Sequence, residues 1–500
     1  MITLTRSQVR RLRSVFRRST LGIHHKGTIP PLVLRADGGQ LRAHYRYRDL
    51  AVALVEPGGD RPAAAVAIPL DALADFEGPG DTPVVLEPVD PGRTAVRWQD
   101  RGIPQAREYD VTPVESTGVM PEPPTSWAAG PPGLLAALAE ATETGTDDSA
   151  RYALDCIQLQ GSRRQVVATD GRQLLVRSGL DFPWVDNVLI KGSPVFGCRA
   201  IPRDQPVEVG RTDAHVVFRV GPFTIACEVR KDVRFPEVER VIPQPAEVAT
   251  RLRLDPEDAG FLETALGRLP GAGDINAPVT IELNGEVAVR ASACDQPKQL
   301  TELVLARSGY AGPPICVCTN RELLGRALRM GFREVGFTTI DSPLVCRDAN
   351  RVFAVQPLSG GSPPPADAEI VRIESGTAKG SERRTTAGPE SPRRATTVSE
   401  SHDGHAPAPP AASRNDAAPR GSRDGTAPRM AGNVSAVGPD QPTSLAELIQ
   451  EAEALHAALA DARSRTARLV AGLRRQRKQS RLVNETLKSL RQLKLVEAAG

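Results

Sequence analysis

Over the first 358 residues the apolar positions switch between two periods. Between Ser7 and Arg18, Val9, Leu12, Val15 and Phe16 recur three and four apart, which predicts a helix with one buried stripe. Helical segments of the same kind open at Gly133 (to Glu143) and Pro256 (to Leu269). Each is followed by short alternating segments around a turn sequence: Ala36-Asp37-Gly38-Gly39, Thr169-Asp170-Gly171 and Asn284-Gly285. These predict hairpins, because Asp and Asn bond the backbone ahead and Gly tolerates positive φ. A shorter helix is expected at Pro69–Phe76 and Asn320–Met330, whereas the corresponding Gly192-Ser-Pro-Val-Phe-Gly197 is a poor helix sequence. Further strands close each unit, at Pro83–Glu87, Ala214–Arg230 and Arg351–Leu358, and a first strand is expected at Met1–Leu4. The order recurs three times, over 1–122, 123–244 and 245–358. Hairpins in place of βαβ crossovers place the chain in the α+β class.

Past Leu358 the pattern stops. Ser359–Pro442 is rich in Ser, Pro, Gly, Ala, Arg and Asp, so 359–442 is expected to be a disordered linker that buries too little surface to offset its chain entropy. From Thr443 a helix is expected over 443–497, opened by the capping box Ser444 and Glu447. Leu445, Ala452, Leu459, Thr466, Leu473, Ser480 and Leu487 lie seven apart, and Leu448, Leu455, Ala462, Leu469, Gln476, Val483 and Leu490 form a second seam. That register predicts a coiled coil, with weak points at Thr466, Gln476 and Ser480. A single amphipathic helix folded back on the core is the alternative.

The net charge of +3 on 500 residues leaves the distribution of charge to decide what the chain binds. On the first helix Arg10, Arg13 and Arg17 lie three and four apart, with Arg11 and Arg18 nearby and His24, His25 and Lys26 following. Arg10, Arg13, Arg17 and Lys26 are therefore candidate phosphate contacts, against the alternative of a solvated basic face. The other two leading helices carry acids instead: Glu140 and Glu143, then Glu257, Asp258 and Glu263. On the terminal helix Arg463, Arg465, Arg468, Arg474, Arg475, Arg477, Lys478 and Arg481 follow the acids Glu447, Glu451, Glu453 and Asp461. An acidic start and basic end complement the helix dipole; a tether to DNA or to a partner is the sharper reading.

Seven scattered cysteines, with only Cys316 and Cys318 close together, lack a zinc spacing and are expected to be buried free thiols in a reducing cytoplasm. No apolar run approaches the ~18 residues of a membrane span. No phosphate-binding loop, dinucleotide fingerprint, nucleophile elbow or metal-binding histidine pair appears, and the seven histidines form no cluster. No catalysis, cofactor or metal is expected.

Three segments carry a family resemblance. Ala150-Arg-Tyr-Ala-Leu-Asp155 followed by Val167-Ala-Thr-Asp-Gly-Arg-Gln-Leu174, then Phe235-Pro-Glu-Val-Glu-Arg-Val-Ile-Pro243, then Val352-Phe-Ala-Val-Gln-Pro-Leu358 occur in the order and spacing of bacterial DNA sliding clamps. Residues 1–358 resemble that family, the DNA polymerase III beta subunit. The resemblance implies three similar domains, with helices inside and antiparallel sheets outside, and a head-to-tail homodimer closing a ring of six domains. It implies a non-catalytic processivity factor on double-stranded DNA, cytoplasmic and nucleoid-associated. DNA polymerase III catalytic subunit and clamp loader would dock through a short linear motif. Carried over by position, the docking cleft comprises Leu154, Thr169, Gly171, Leu174, Pro236, Arg240, Val241, Pro343, Ala354, Pro357 and Leu358. Departures from the family pattern fall at Arg172-Gln173, Val238 and Gln356. They leave open a second expectation, a clamp-fold adaptor that does not encircle DNA and assembles through its coiled coil. A core ending at Leu358 self-associates under the first expectation and not under the second.

Overall fold

The computed structural model describes residues 1–19, 29–58, 62–146, 152–359, 368–376 and 383–386. The expected terminal helix, 443–497, lies outside the described residues.

The first third runs β1 (Ile2–Thr5), α1 (Arg6–Arg18), β2 (Leu32–Asp37), β3 (Gln40–Tyr47), β4 (Leu50–Pro57) and β5 (Ala64–Ile68). A 3-10 turn, Leu70–Ala72, leads into α2 (Leu73–Phe76), and β6 (Pro83–Asp90), β7 (Arg93–Asp100) and β8 (Ile103–Asp110) follow. The middle third repeats the order with β9 (Ala128–Ala129), α3 (Leu134–Thr142), β10 (Cys156–Gln160), β11 (Gln165–Thr169), β12 (Gln173–Ser178) and β13 (Asn187–Lys191). In place of a second helix it has a 3-10 turn, Pro194–Gly197, before β14 (Val207–Arg211), β15 (His215–Val220) and β16 (Phe223–Glu228). The last third runs β17 (Thr250–Arg253), α4 (Pro256–Leu266), β18 (Pro278–Leu283), β19 (Val287–Ala293), β20 (Gln296–Val304), β21 (Gly309–Ala311), β22 (Ile315–Asn320), α5 (Arg321–Arg329), β23 (Glu334–Phe337), β24 (Leu344–Arg347) and β25 (Arg351–Val355). The fold is thus α+β and threefold repeated, as the hydrophobic pattern implies.

Local chemistry explains the element ends. The Thr5 hydroxyl accepts from Gln8 N at 3.1 Å while the Gln8 side chain accepts from Thr5 N at 2.8 Å, so α1 starts at Arg6, one residue before the expected Ser7. Val9, Leu12, Val15 and Phe16 are buried as expected. Helix α4 stops at Leu266, short of Leu269, because Arg321 takes its terminal carbonyls. The guanidinium donates to Leu266 O and to Leu269 O at 3.3 and 2.7 Å, satisfying groups that the helix itself leaves unpaired. Gly171 sits at φ +84 in the β11–β12 turn, where the Asp170 carboxylate accepts from Arg172 N and Gln173 N at 2.7 and 2.8 Å.

Among the described residues the strands form four sheets, and two of them cross from one third to the next. At the first seam β4 pairs antiparallel with β16, from Leu54 opposite Phe223 to Leu50 opposite Cys227. At the second, β12 pairs antiparallel with β25, from Gln173 opposite Val355 to Arg177 opposite Arg351. The rule is the same both times: the fourth strand of one domain joins the last strand of the next. Helices α1 and α3 bury their apolar stripes in one continuous core that spans the first two thirds. A second core holds α4, α5 and the strands of the last third, and reaches across the seam to Leu175.

Two expectations need correction. Residues 359–442 are not structureless throughout: β26 (Glu369–Glu374) pairs with β20, and β27 (Arg383–Thr386) pairs with β26. The segment Glu369-Ile-Val-Arg-Ile-Glu374 has β-branched residues at three of six positions, enough to extend an existing sheet edge although too few to build a core. The cysteines are free, but Cys294 is exposed and Cys316 half-buried. Cys346 does match the expectation: burial pushes its thiol up to about 12, so it stays protonated and unreactive.

Phe353 is completely buried opposite Leu175 at the second seam and stacks on Phe332 with ring centroids 6.2 Å apart. Truncation by Phe353→Ala is expected to cost about 3–5 kcal/mol through lost burial and the cavity left behind. Urea denaturation followed by circular dichroism measures it; a loss under ~1 kcal/mol means that the seam is not packed as described.

Candidate functional site

Helix α1 carries the candidate phosphate contacts, and packing sorts them. Arg10 and Arg17 are exposed, two turns apart. Arg13 is half-buried and donates to the Glu77 carboxylate at 2.6 Å. Arg11 is ion-paired with the buried Glu56, and Arg6, at the start of the helix, bonds Asp100 at 2.8 Å. Carboxylates from the surrounding elements therefore partly neutralise this basic helix, on which Arg10 and Arg17 are the exposed arginines. Lys26, with His24 and His25, lies outside the described residues.

Two of the acids on the other two leading helices, Glu140 and Asp258, hold the fold. At the second seam Arg177 faces Arg351, a like-charge pair that opposes strand pairing. Glu140 of α3 lies between them and accepts from Arg177 at 2.8 Å and Arg351 at 3.2 Å. On α4, Asp258 is buried, and its carboxylate accepts from Arg307 N at 3.0 Å and the Ser308 hydroxyl at 2.7 Å. Glu257 is ion-paired with Arg307. Glu143 and Glu263 remain exposed.

The candidate docking residues converge on the second seam. Leu174 and Ala354 are register partners and share a small apolar cluster with Phe235, Val238 and Val345. Thr169 and Gly171 form the turn just before β12; the Thr169 hydroxyl donates to Gln173 O at 2.7 Å and accepts from Gly171 N at 3.0 Å. On the opposite strand Gln356 N donates to Arg172 O at 2.8 Å, which brings Pro357 and Leu358 to the same turn; Leu358 N then bonds Cys318 O at 2.8 Å. The connector between the middle and last thirds, residues 235–243, lies against this floor. Its Phe235 and Val238 are buried, Pro236 is half-buried, and Arg240 and Val241 are exposed. Arg347 ties the connector's end by donating to Pro243 O at 2.5 Å. Pro343 precedes β24, beside Asp341 O, which accepts from the Gln356 side chain at 3.3 Å. Leu154 is the outlying member: it sits in the turn before β10, where its carbonyl accepts from Thr146 N at 2.9 Å.

The sequence reading missed Arg326. On α5 it is buried, and its guanidinium crosses the seam to Gln173 Oε1 at 2.6 Å, Glu140 O at 2.7 Å and Thr144 Oγ1 at 2.9 Å. It also lies 5.3 Å from the centre of the Phe353 ring. Burial pulls its pKa below the ordinary arginine value, with Glu143, Asp170 and Glu140 opposing. The available signal was its place between Leu323 and Met330 on the packed stripe of α5. Among the described residues there is no group of acids, histidines and cysteines able to hold a metal ion.

No protein-family model and no curated protein matches this sequence. Solved structures do. A sliding clamp, DNA polymerase III subunit beta, from Pseudomonas aeruginosa bound to griselimycin is 17% identical, covers 72% of this chain and 99% of its own, and superposes with a TM-score of 0.59. A second structure of the Pseudomonas aeruginosa subunit, also 17% identical, covers 71% of this chain and 99% of its own, with a TM-score of 0.57. A putative DNA polymerase III beta subunit from Eubacterium rectale is 11% identical, covers 72% and 99%, and has a TM-score of 0.58. The chain has the sliding-clamp fold over a length that spans those proteins almost entirely.

Replacing Arg326 with Met keeps most of its aliphatic stem and removes its donors, leaving Gln173 and Thr144 without their partner. The expected loss is about 1.5–3 kcal/mol in urea denaturation. An unchanged midpoint would show that this network does not hold the seam.

Proposed function

We propose that this chain is a divergent DNA sliding clamp, a non-catalytic ring that encircles double-stranded DNA on the nucleoid and keeps partner proteins beside it. The observation that carries the reading is a clamp fold spanning 99% of each solved clamp compared, with sheets continuous across both domain seams. Retention is topological, so the lining must touch phosphates loosely and read no bases. An α1 helix on which Arg11 and Arg13 are already held by carboxylates suits that requirement better than a densely cationic face.

DNA polymerase III catalytic subunit and the clamp loader are the partners proposed for the surface at the second seam. There an apolar floor at Leu174 and Ala354, rimmed by Pro236, Arg240, Val241, Pro357 and Leu358, suits a short peptide with apolar anchors. The segment 443–497 would supply a further attachment point, as a coiled coil or as a basic tether.

A second reading, a clamp-fold adaptor that does not encircle DNA, is favoured by one observation: β26 lies along β20 and covers the edge that the strands up to β25 would leave open. The two readings separate on nicked circular DNA with a matching clamp loader and ATP. Encirclement gives retention that survives a high-salt wash and disappears when the circle is cut. Salt-sensitive binding indifferent to cutting overturns encirclement and supports the adaptor.

Loader-independent binding to linear duplex tests the lining. The Arg10→Ala, Arg17→Ala double variant should lower the slope of log affinity against log salt by about 2, since each phosphate contact contributes about 0.9. An unchanged slope would mean that α1 does not face the phosphates.

A further inference from the structure

Both domain seams obey one pairing rule, and the rule has one application left. The fourth strand of the first domain (β4) joins the last strand of the second (β16), and the fourth strand of the second domain (β12) joins the last strand of the third (β25). Applied once more, it leaves β20, the fourth strand of the third domain, and β8, the last strand of the first. These two are complementary edges, so a second copy of the same chain is the partner that fits each of them.

The edges are not in the same condition. Strand β8 ends its sheet, and seven of its eight residues are exposed, Ile103 among them at 62%. It carries Pro104, Arg107 and Glu108, residues that discourage indiscriminate strand pairing. Strand β20 is occupied. β26 runs beside it in parallel, from Gln299 opposite Glu369 to Val304 opposite Glu374. Both domain seams are antiparallel. The tail strand thus sits where the rule places a domain, in an orientation the rule does not use.

We propose that β26 is a removable cap on the sheet edge through which two copies of this chain join head to tail, each presenting β8 to the other's uncovered β20. The ring reading gives this its consequence, namely that ring closure is gated by the chain's own tail. The pairing rule stands without DNA.

The attachment of β26 fits a strand that leaves without damaging what it covers. Its anchors at the two ends include Ala368, which is buried, and Ser375, whose N donates to Val304 O at 2.9 Å and whose hydroxyl accepts from Ala306 N at 3.0 Å. Ile370 and Val371 are only half-buried, and Ile373 is exposed. Arg372 bonds Glu302 at 3.2 Å and is ion-paired with Glu286. When Arg372 departs, the buried Glu302 keeps Arg290 at 2.6 Å and Glu286 is solvent-exposed, so displacement strands no buried carboxylate. Parallel pairing is also slightly weaker per residue than the antiparallel pairing that would replace it.

Hydrogen exchange on the full-length protein, read over β8 with no DNA present, tests the cap. The variant Val371→Pro, Arg372→Pro loses backbone donors on adjacent residues, so at least one bond to β20 goes whichever way the strand faces. Its β8 amides should exchange more slowly as protein concentration rises, by about tenfold or more once β8 is paired, while the wild-type amides stay fast. Arg372→Ala, which leaves the backbone intact, should give a smaller slowing of the same amides. Fast β8 exchange in both variants at every concentration, with β12 and β25 still protected, overturns the proposal. So does a wild-type chain whose β8 is already protected, because β26 would then be no barrier. Self-association through the terminal segment does not protect β8, so it cannot imitate the expected result. Failure of retention on circles with β8 protection intact would sink encirclement alone; the reverse would sink the cap alone.

Discussion

An unpaired strand edge is the constraint on which this molecule turns. Each domain is two small sheets closed around helices, and every such sheet ends in backbone donors and acceptors that need partners or protection. Pairing β4 with β16 and β12 with β25 resolves four of these edges internally and makes three separate units into one body. The hydrogen bonds set the register, and the register decides which side chains meet. Leu175 meets Phe353 in the core of the second seam, while Leu174 meets Ala354 on the opposite face, under the connector. One ladder therefore creates both a stability element and the floor of the candidate docking surface.

The same register creates an electrostatic problem, and its solution changes how the charges read. Arg177 opposite Arg351 would repel in isolation, and the strand pair tolerates them because Glu140 bonds both. Asp258 is likewise spent on capping the turn at Arg307 and Ser308. Read along the chain, these acids argue against a nucleic-acid-facing surface. Placed in the fold, two of the five acids on those helices are structural. Arg11 and Arg13 are diminished in the same way by Glu56 and Glu77. The net result is a first helix with fewer outward cations, and second and third helices with fewer outward acids, than the sequence suggests.

Conformation also connects to function through the tail. A chain whose last domain ends in an available strand would polymerise or close a ring without control; a strand that covers that edge makes association conditional. The cost of displacing β26 is set by half-buried aliphatic residues and by one arginine that leaves its carboxylate partner already satisfied.

Much of the architecture was written locally. The period of Val9, Leu12, Val15 and Phe16, the capping pair Thr5 and Gln8, the Asp170-Gly171 turn and the failed helix at Pro194–Gly197 depend on neighbours within a few residues, so the α+β class and the threefold repeat were legible from pattern alone. The position of Thr169, Gly171 and Leu174 around one turn followed from the same short-range logic. Other features depended on partners more than a hundred residues away: Arg326 reaching Gln173 and Glu140, Glu140 reconciling Arg177 with Arg351, and Arg6 finding Asp100 nearly as far along the chain. The tail strand is the sharpest case. Glu369–Glu374 has too little apolar content to fold alone, so its composition reads as linker, and it becomes a strand only because β20 presents an edge to template it. Sequence by itself determined the elements and their order, because helix and hairpin formation are governed by short-range periodicity and turn chemistry. Only the tertiary structure decided which charges face outward and which sheet edges remain open, because both are properties of surfaces that exist once distant segments have met.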